Sequence, residues 1–171
     1  WWSLDSRYVY FVDVKRGANK VAVIEIDRET GKYRILFEEY SDTFVKLCHG
    51  CMDSPLFMPL PESNELIWFS ERSGYGHLYL YDLTTGNLKR RITSGNWVIK
   101  ELLHYNPERR EIIVQTSGRV HGVNPYYTDI CTINIDTLVM QVLLGGDYNY
   151  AVYQDHRYPV TVRSYLGMDA D

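Results

Sequence analysis

The residues best equipped for chemistry fall within a short stretch: Glu38-Glu39, then Lys46, then Cys48-His49-Gly50-Cys51. Two adjacent carboxylates suit an ammonium group by charge, and a CxxC enclosing a histidine suits a metal or a redox reaction. A zinc site needs four ligands, usually from two such pairs, and the sequence has no second CxxC and no HxxxH. A redox CxxC opens a helix after a strand, and no helical period follows Cys51. The segment therefore reads as a loop, closed by a local disulfide if the protein is exported, and no metal or other cofactor is expected. Cys131 stands alone in an apolar run, and three cysteines are too few and too odd in number for a disulfide scaffold.

Nucleophilic chemistry of the hydrolase kind needs a G-x-S-x-G elbow, and none occurs; Ser73-Gly74 and Ser94-Gly95 lack the preceding glycine. The five histidines, His49, His77, His104, His121 and His156, share no paired spacing, so any Ser-His-Asp triad drawn from them is arbitrary. By this reading the chain alone is not catalytic.

The elements that must position these groups are strands. Period-2 alternation with β-branched and aromatic residues runs throughout, and the 3.6-residue period of helices is nearly absent. Thirteen short strands are expected. They span Tyr8–Val14, Lys20–Asp27, Tyr33–Glu38, Leu56–Leu60, Leu66–Glu71, His77–Asp82 and Leu88–Thr93, then Val98–His104, Ile112–Thr116, Tyr127–Ile135, Val139–Leu144, Tyr148–Gln154 and Val160–Ser164. With 171 residues, 45% hydrophobic and 14% aromatic, the chain can bury a real core and is not disordered. A net charge of −4 excludes a strongly basic nucleic-acid binder, and no run of 18 apolar residues spans a bilayer. Trp1-Trp2-Ser3-Leu4-Asp5 carries no targeting signal, so the numbering is expected to start inside a structured region.

A repeat organises the strands. An acid, any residue, a basic or amide residue and then Tyr or Glu recur as Asp5-Ser6-Arg7-Tyr8, Glu62-Ser63-Asn64-Glu65, Glu108-Arg109-Arg110-Glu111 and Asp155-His156-Arg157-Tyr158, the acids 57, 46 and 47 residues apart. A second marker keeps step with it. Ile26-Asp27-Arg28-Glu29-Thr30-Gly31-Lys32 matches Tyr81-Asp82-Leu83-Thr84-Thr85-Gly86-Asn87, and Asn134-Ile135-Asp136 takes the same place next, the aspartates 55 and 54 residues apart. Each marks a hairpin between the third and fourth strands of a unit. Four antiparallel strands per unit of about 50 residues is the pattern of β-propeller blades. The fold class is thus all-β, a partial β-propeller of about three and a half blades, where closed rings usually have 4–8.

Two segments are more distinctive than the repeat: Ser70-Glu71-Arg72-Ser73-Gly74-Tyr75-Gly76-His77-Leu78-Tyr79 and Ile92-Thr93-Ser94-Gly95-Asn96-Trp97-Val98. They are similar to the S-E-x-x-G-x-x-H-L-Y and L-T-x-G-x-W-x-V segments in the propeller of dipeptidyl peptidase IV-type serine peptidases, of the prolyl oligopeptidase superfamily. Trp2-Ser3-Leu4-Asp5-Ser6-Arg7-Tyr8 resembles that family's recurring W-S-P-D-G-K turn, with Leu4 for Pro and Ser6 for Gly. Ser41-Asp42-Thr43-Phe44-Val45 resembles the T-x-W-V approach to the blade, and Tyr153-Gln154-Asp155-His156-Arg157-Tyr158 the last turn before the hydrolase domain.

The resemblance implies that residues 1–171 form the C-terminal half of an eight-bladed propeller, with the hydrolase domain and its triad elsewhere in the intact protein. Its partners would be the missing blades, that α/β-hydrolase domain, a peptide substrate and, through unpaired blade edges, a second copy. Export to the periplasm or the exterior follows by the same analogy. In the family paired glutamates bind the substrate amine, but on an earlier element. Here Glu38-Glu39 ends a strand, where neighbours point to opposite faces, so a solvated strand end competes with substrate binding. The loop after Phe44-Val45 is the stronger candidate for substrate contact. The family's aromatic and Arg are replaced there by Lys46-Leu47-Cys48-His49-Gly50-Cys51-Met52.

The aromatic alternations at Tyr10, Trp68, Phe69, Tyr79 and Tyr81 read as core between packed blades. A carbohydrate surface of Trp1, Trp2, Tyr126, Tyr127, Tyr148 and Tyr150 is the competing use of aromatics. Gly118–Pro125 is a long polar loop within a blade. Two functions are carried forward: the propeller portion of a dipeptidyl peptidase IV-like exopeptidase, shaping its peptide cavity, and a stand-alone or degenerate propeller that binds peptide, protein or glycan.

Overall fold

A computed structural model describes residues 1–48, 56–155 and 158–166, with side chains up to residue 150. The thirteen strands are β1 (Tyr8–Val14), β2 (Lys20–Asp27), β3 (Tyr33–Tyr40), β4 (Phe57–Leu60), β5 (Glu65–Ser70), β6 (His77–Asp82), β7 (Leu88–Arg91), β8 (Val98–Asn106), β9 (Glu111–Ser117), β10 (Thr128–Asn134), β11 (Met140–Leu144), β12 (Tyr148–Asp155) and β13 (Tyr158–Leu166). They form four antiparallel sheets in sequence order: β1-β2-β3, β4-β5-β6-β7, β8-β9-β10-β11 and β12-β13. This is the partial propeller expected from the repeat. Trp1 and Trp2 occupy the lane before β1, since Trp1 and Tyr10 exchange backbone bonds of 2.9 and 2.8 Å and Trp2 bridges Val9.

The sheets stack face to face because alternation on one strand feeds two interfaces. Leu66 and Trp68 of β5 join Tyr79 and Tyr81 of β6 against Tyr10, Val21, Val23 and Leu36 of the first sheet. The intervening Ile67, Phe69, Leu78 and Leu80 turn the other way, against Ile99, Ile112, Val114, Cys131 and Ile133 of the third. Every residue of β5 is therefore buried, as a strand covered on both faces must be. The aromatic alternations read from the sequence are these interfaces. β3, β7 and β11 carry mostly exposed residues and form the outer rim.

The two sequence markers are one structural device. The tetrapeptide opens the second strand of a blade and the turn residue closes the third, so they pair across the sheet: Tyr8 with Asp27, Glu65 with Asp82, Glu111 with Asn134. The same backbone bond recurs beside each pair, from Arg28 N to Arg7 O, Leu83 N to Asn64 O and Ile135 N to Arg110 O, at 3.0, 2.9 and 2.9 Å. The register corrects the sequence alignment in the third blade. Asn134, not Asp136, stands where Asp27 and Asp82 stand, because its side-chain oxygen accepts the backbone N–H groups of Asp136 and Thr137. Asp27 accepts those of Glu29 and Thr30 in the same way, and Asp82 that of Thr85. Asp136 instead pairs with Arg110 at 2.6 Å.

Charge also binds the blades. Glu65, its side chain 2% exposed, faces Lys89 and lies 2.8 Å from Arg110 of the next blade. Burial opposes its charge, but bonds from Lys89, Ser63 and Arg110 outweigh it and hold the carboxyl below its usual range. Asp82 and Asp136 are lowered too, chiefly by the Thr85 backbone N–H and by Arg110 respectively. A carboxyl whose pKa is depressed by folding contributes stability above its unfolded value, lost as pH falls through the folded one. The urea midpoint is therefore expected to be level from neutral pH to about 5 and to fall steeply below about 4, given unfolded carboxyl values near 4. Glu65→Gln should flatten that fall, and an acid-independent midpoint would contradict it.

Candidate functional site

Two of the sequence-predicted residues, Glu39 and Lys46, line a crevice of about 560 Å³ between the first and second blades, at the end of the sheets where β3 and β5 finish. Its wall is the segment Tyr40–Lys46, pinned to the β1–β2 turn by Ser41 N donating to Asn19 O at 3.0 Å and Val45 N to Ala18 O at 2.6 Å. Val45 is buried as the anchor, and Phe44 is left exposed on the rim. Lys46 follows and pairs with Glu71 at 3.2 Å.

Strand alternation separates the two glutamates. Glu38 turns to the solvent side and pairs with Lys20 at 2.7 Å, although β3 runs on to Tyr40 and neither glutamate ends the strand as expected from the sequence. Glu39 differs: its side chain is 9% exposed and reaches the second blade. Trp68 Nε1 donates to it at 2.9 Å, Ser70 Oγ donates to its other oxygen, and Arg72 Nη2 donates at 2.9 Å. Arg72 completes the network, with Nε donating to Ser70 Oγ at 2.9 Å and Nη1 to Tyr81 Oη at 2.7 Å. Its guanidinium also lies 4.7 Å above the Tyr79 ring. Burial works against the Arg72 charge, but the facing Glu39 and Tyr81 hold its pKa above the ordinary value, while burial pushes the Tyr81 phenol up.

Lys46 and Glu39 thus share one crevice, and Glu38 stands apart from it. Cys48 is disulfide-bonded, which ties up the thiol of that CxxC position, and Cys131 is free and buried. His49 lies outside the described residues. Sequence reasoning missed Arg72 and Ser70 as site groups. Their signal was a spacing of two at the end of a strand, which places both on the side that Glu39 faces. Trp1 stacks on Tyr10 at 5.2 Å, and Tyr150 is buried with Leu103 and Ile130, so the six aromatics of the carbohydrate reading do not share one exposed face.

The crevice offers fixed charges and hydrogen-bonding groups, which bind and orient; among the described residues that line it, no hydroxyl stands beside an imidazole. Such a contact occurs elsewhere, between Thr93 and His77 at 3.0 Å, but both are buried and the hydroxyl also accepts Leu78 N. Burial lowers the His77 pKa, which fits a neutral structural imidazole. A cavity of about 600 Å³ at the opposite end of the first two blades is organised by the Glu25–Arg34 pair at 2.6 Å, whose guanidinium also donates to Thr84 O and Leu83 O. Among the described residues no cluster of three or more His, Cys, Asp or Glu is placed to hold a metal ion, and no helix is long and apolar enough to cross a membrane.

Comparison with known proteins bears on this architecture directly. The fold is similar to that of a candidate dipeptidyl aminopeptidase IV from Bacteroides ovatus, at 23% identity with a TM-score of 0.68 over 96% of this chain. It is similar too to Porphyromonas gingivalis dipeptidyl peptidase 4, at 16% identity with a TM-score of 0.67 over 94%. The chain spans 26% and 23% of those proteins, about a quarter of their length. The family model of the dipeptidyl peptidase IV (DPP IV) N-terminal region matches residues 1–170, in keeping with the blade markers and the S-E-x-x-G-x-x-H-L-Y segment. With nearly the whole chain matched, this protein belongs to the dipeptidyl peptidase IV N-terminal region family.

Proposed function

We propose that residues 1–171 are the C-terminal half of the propeller of a DPP IV-like serine exopeptidase, and that the propeller shapes the cavity that admits peptides. The observation that carries this is the family match over residues 1–170 of a chain with no G-x-S-x-G of its own. The acyl transfer then belongs to an α/β-hydrolase domain of the same protein, and these residues supply wall and contacts. The crevice suits that part. Its groups are fixed by mutual bonds before any ligand arrives, and Phe44 and Lys46 project from a pinned segment. Export to the periplasm or the exterior is part of the proposal, in keeping with the disulfide at Cys48.

The test uses the full gene product that contains this chain. It is expected to release dipeptides from chromogenic dipeptidyl substrates and to be labelled by a fluorophosphonate outside residues 1–171, while the chain alone does neither. Phe44→Ala in that product should raise KM roughly threefold to tenfold with kcat little changed, as for lost ground-state binding. A full product without serine labelling would overturn the peptidase and leave the binding module. Self-association belongs to the same proposal: the unpaired rim strands should pair two copies of the isolated chain, giving a dimer mass by light scattering. A monomer at all concentrations would contradict it.

A further inference from the structure

β11 differs from the other rim strands in what its open edge presents. β3, β7 and β11 are each bonded to their own sheet along one edge only. β3 carries Arg34, Glu38 and Glu39, and β7 carries Lys89, Arg90 and Arg91, charges of the kind that keep an open edge from pairing. β11 reads Met-Gln-Val-Leu-Leu and has none. Val139, Val142, Leu143 and Leu144 are nevertheless 57%, 46%, 52% and 40% exposed. We propose that β11 is an interface with a second copy of this chain, the two strands pairing antiparallel about a two-fold axis at Gln141.

The order of residues along the strand selects a second copy as the occupant. Read outwards from Gln141, Met140 matches Val142 and Val139 matches Leu143, so the segment is apolar in the same pattern in both directions. Antiparallel pairing of this segment with itself sets apolar side chains against apolar ones. It also sets the single polar side chain against the same residue of the second copy. Two facing glutamine amides match donor to acceptor in both directions. The Gln141 side chain is exposed and makes no hydrogen bond to the described residues. A register slip of one residue sets Gln141 against Val142 and loses that match, so the amide pair fixes the register. β7 fails the same test, because pairing with itself sets Lys89 against Arg90 of the second copy.

The backbone is set for the same register. Asn134 N donates to Val139 O at 3.0 Å, and the hydrogen-bonding direction alternates along an antiparallel strand. Val139 and Gln141 therefore turn their backbone groups toward β10, and Met140 and Val142 turn theirs to the open edge. In the pair, Met140 and Val142 exchange backbone bonds with Val142 and Met140 of the second copy. The two Gln141 residues meet between those bonds, at the closer spacing of a non-hydrogen-bonded pair. The register shift opposite Ile130 and Cys131 comes after Val142 and limits the regular pairing to this short stretch. So small a contact falls below the roughly 1,200 Å² of stable complexes, and a dissociation constant of the order of 100 μM is expected. The assignment rests on the rim-strand pairing proposed above and adds the strand, the register and the residue at the axis. It needs neither a hydrolase domain nor the crevice at Glu39.

The experiment is sedimentation equilibrium of the 171-residue chain from about 5 μM to 1 mM. The parent should pass reversibly from monomer to dimer and no further, because a two-fold pair consumes both edges. Gln141→Glu sets two carboxylates against each other at the axis and should weaken the dimer about fivefold or more at neutral pH. Its melting temperature at low concentration should match the parent's, since the residue is exposed. Glu38→Gln, on the β3 edge, should leave the dimer unchanged. Oxidation of Gln141→Cys with diamide should yield a disulfide-linked dimer, because Cα atoms about 4.5 Å apart in such a pair lie within disulfide reach. A dimer that persists undiminished in Gln141→Glu, or no cross-link through Gln141→Cys, overturns the assignment and leaves pairing through another rim strand. A parent that stays monomeric throughout overturns the rim pairing and this assignment together.

Discussion

Gly86→Ala is expected to destabilise the chain by roughly 2–5 kcal/mol, the sum of a left-handed backbone penalty and an overpacked contact. Gly86 closes the turn after Asp82 at φ +76°, and a Cβ there would lie 2.0 Å from the backbone oxygen of Leu36 in the neighbouring blade. The oxygen belongs to a strand and cannot swing aside as a side chain would, so relief requires the first two blades to separate. The control lies in the same turn of the first blade. Gly31 has φ +67°, and a Cβ added there would meet nothing within 4 Å, so Gly31→Ala should cost only about 1 kcal/mol from the backbone. At roughly 2–4 °C per kcal/mol for a chain of this size, Gly86→Ala should melt about 10 °C lower than the parent and Gly31→Ala only a few degrees lower. Equal losses at the two glycines would show that the contact with Leu36 carries no weight.

That pair of glycines also explains how much of the fold is legible in the sequence. Blade markers are local: a turn aspartate, a glycine at positive φ and the alternation that follows are all written in consecutive residues. The strand count and the unit boundaries are legible for that reason. In the third blade the glycine is replaced by Leu138 at φ +63°, and Asn134 takes over the capping that aspartate performs elsewhere. Matching by residue type selects Asp136, although the hydrogen bonds select Asn134. The crevice is only half legible. Lys46 and the Tyr40–Val45 segment follow from chain order, but the bonds of Glu39 span 29 to 33 residues and cross between sheets. No local pattern reports which of two adjacent glutamates faces the neighbouring blade, because that depends on the strand's register.

Trp68→Ala is the second large effect, expected to cost roughly 3–5 kcal/mol, because the indole is fully buried between the first two blades and its removal leaves a cavity that stiff sheets cannot collapse into. Phe37 meets it edge-on at 5.5 Å and Phe57 lies 6.2 Å away, so both lose a partner. The polar half of the residue has its own consequence. Trp68→Phe keeps most of the apolar contact and removes one donor from the Glu39 carboxylate, a loss of roughly 1–2 kcal/mol. Glu39→Ala strands the buried Trp68 N–H and takes the anion from Arg72, whose partial exposure lets water compensate. Made together, the two changes should cost less than their sum by about 1 kcal/mol, since each removes the same bond. That non-additivity, measured by urea unfolding in a double-mutant cycle, identifies Glu39 as the joint that fixes the crevice between blades. Strict additivity would leave Glu39 as a surface carboxylate that merely lies near an arginine.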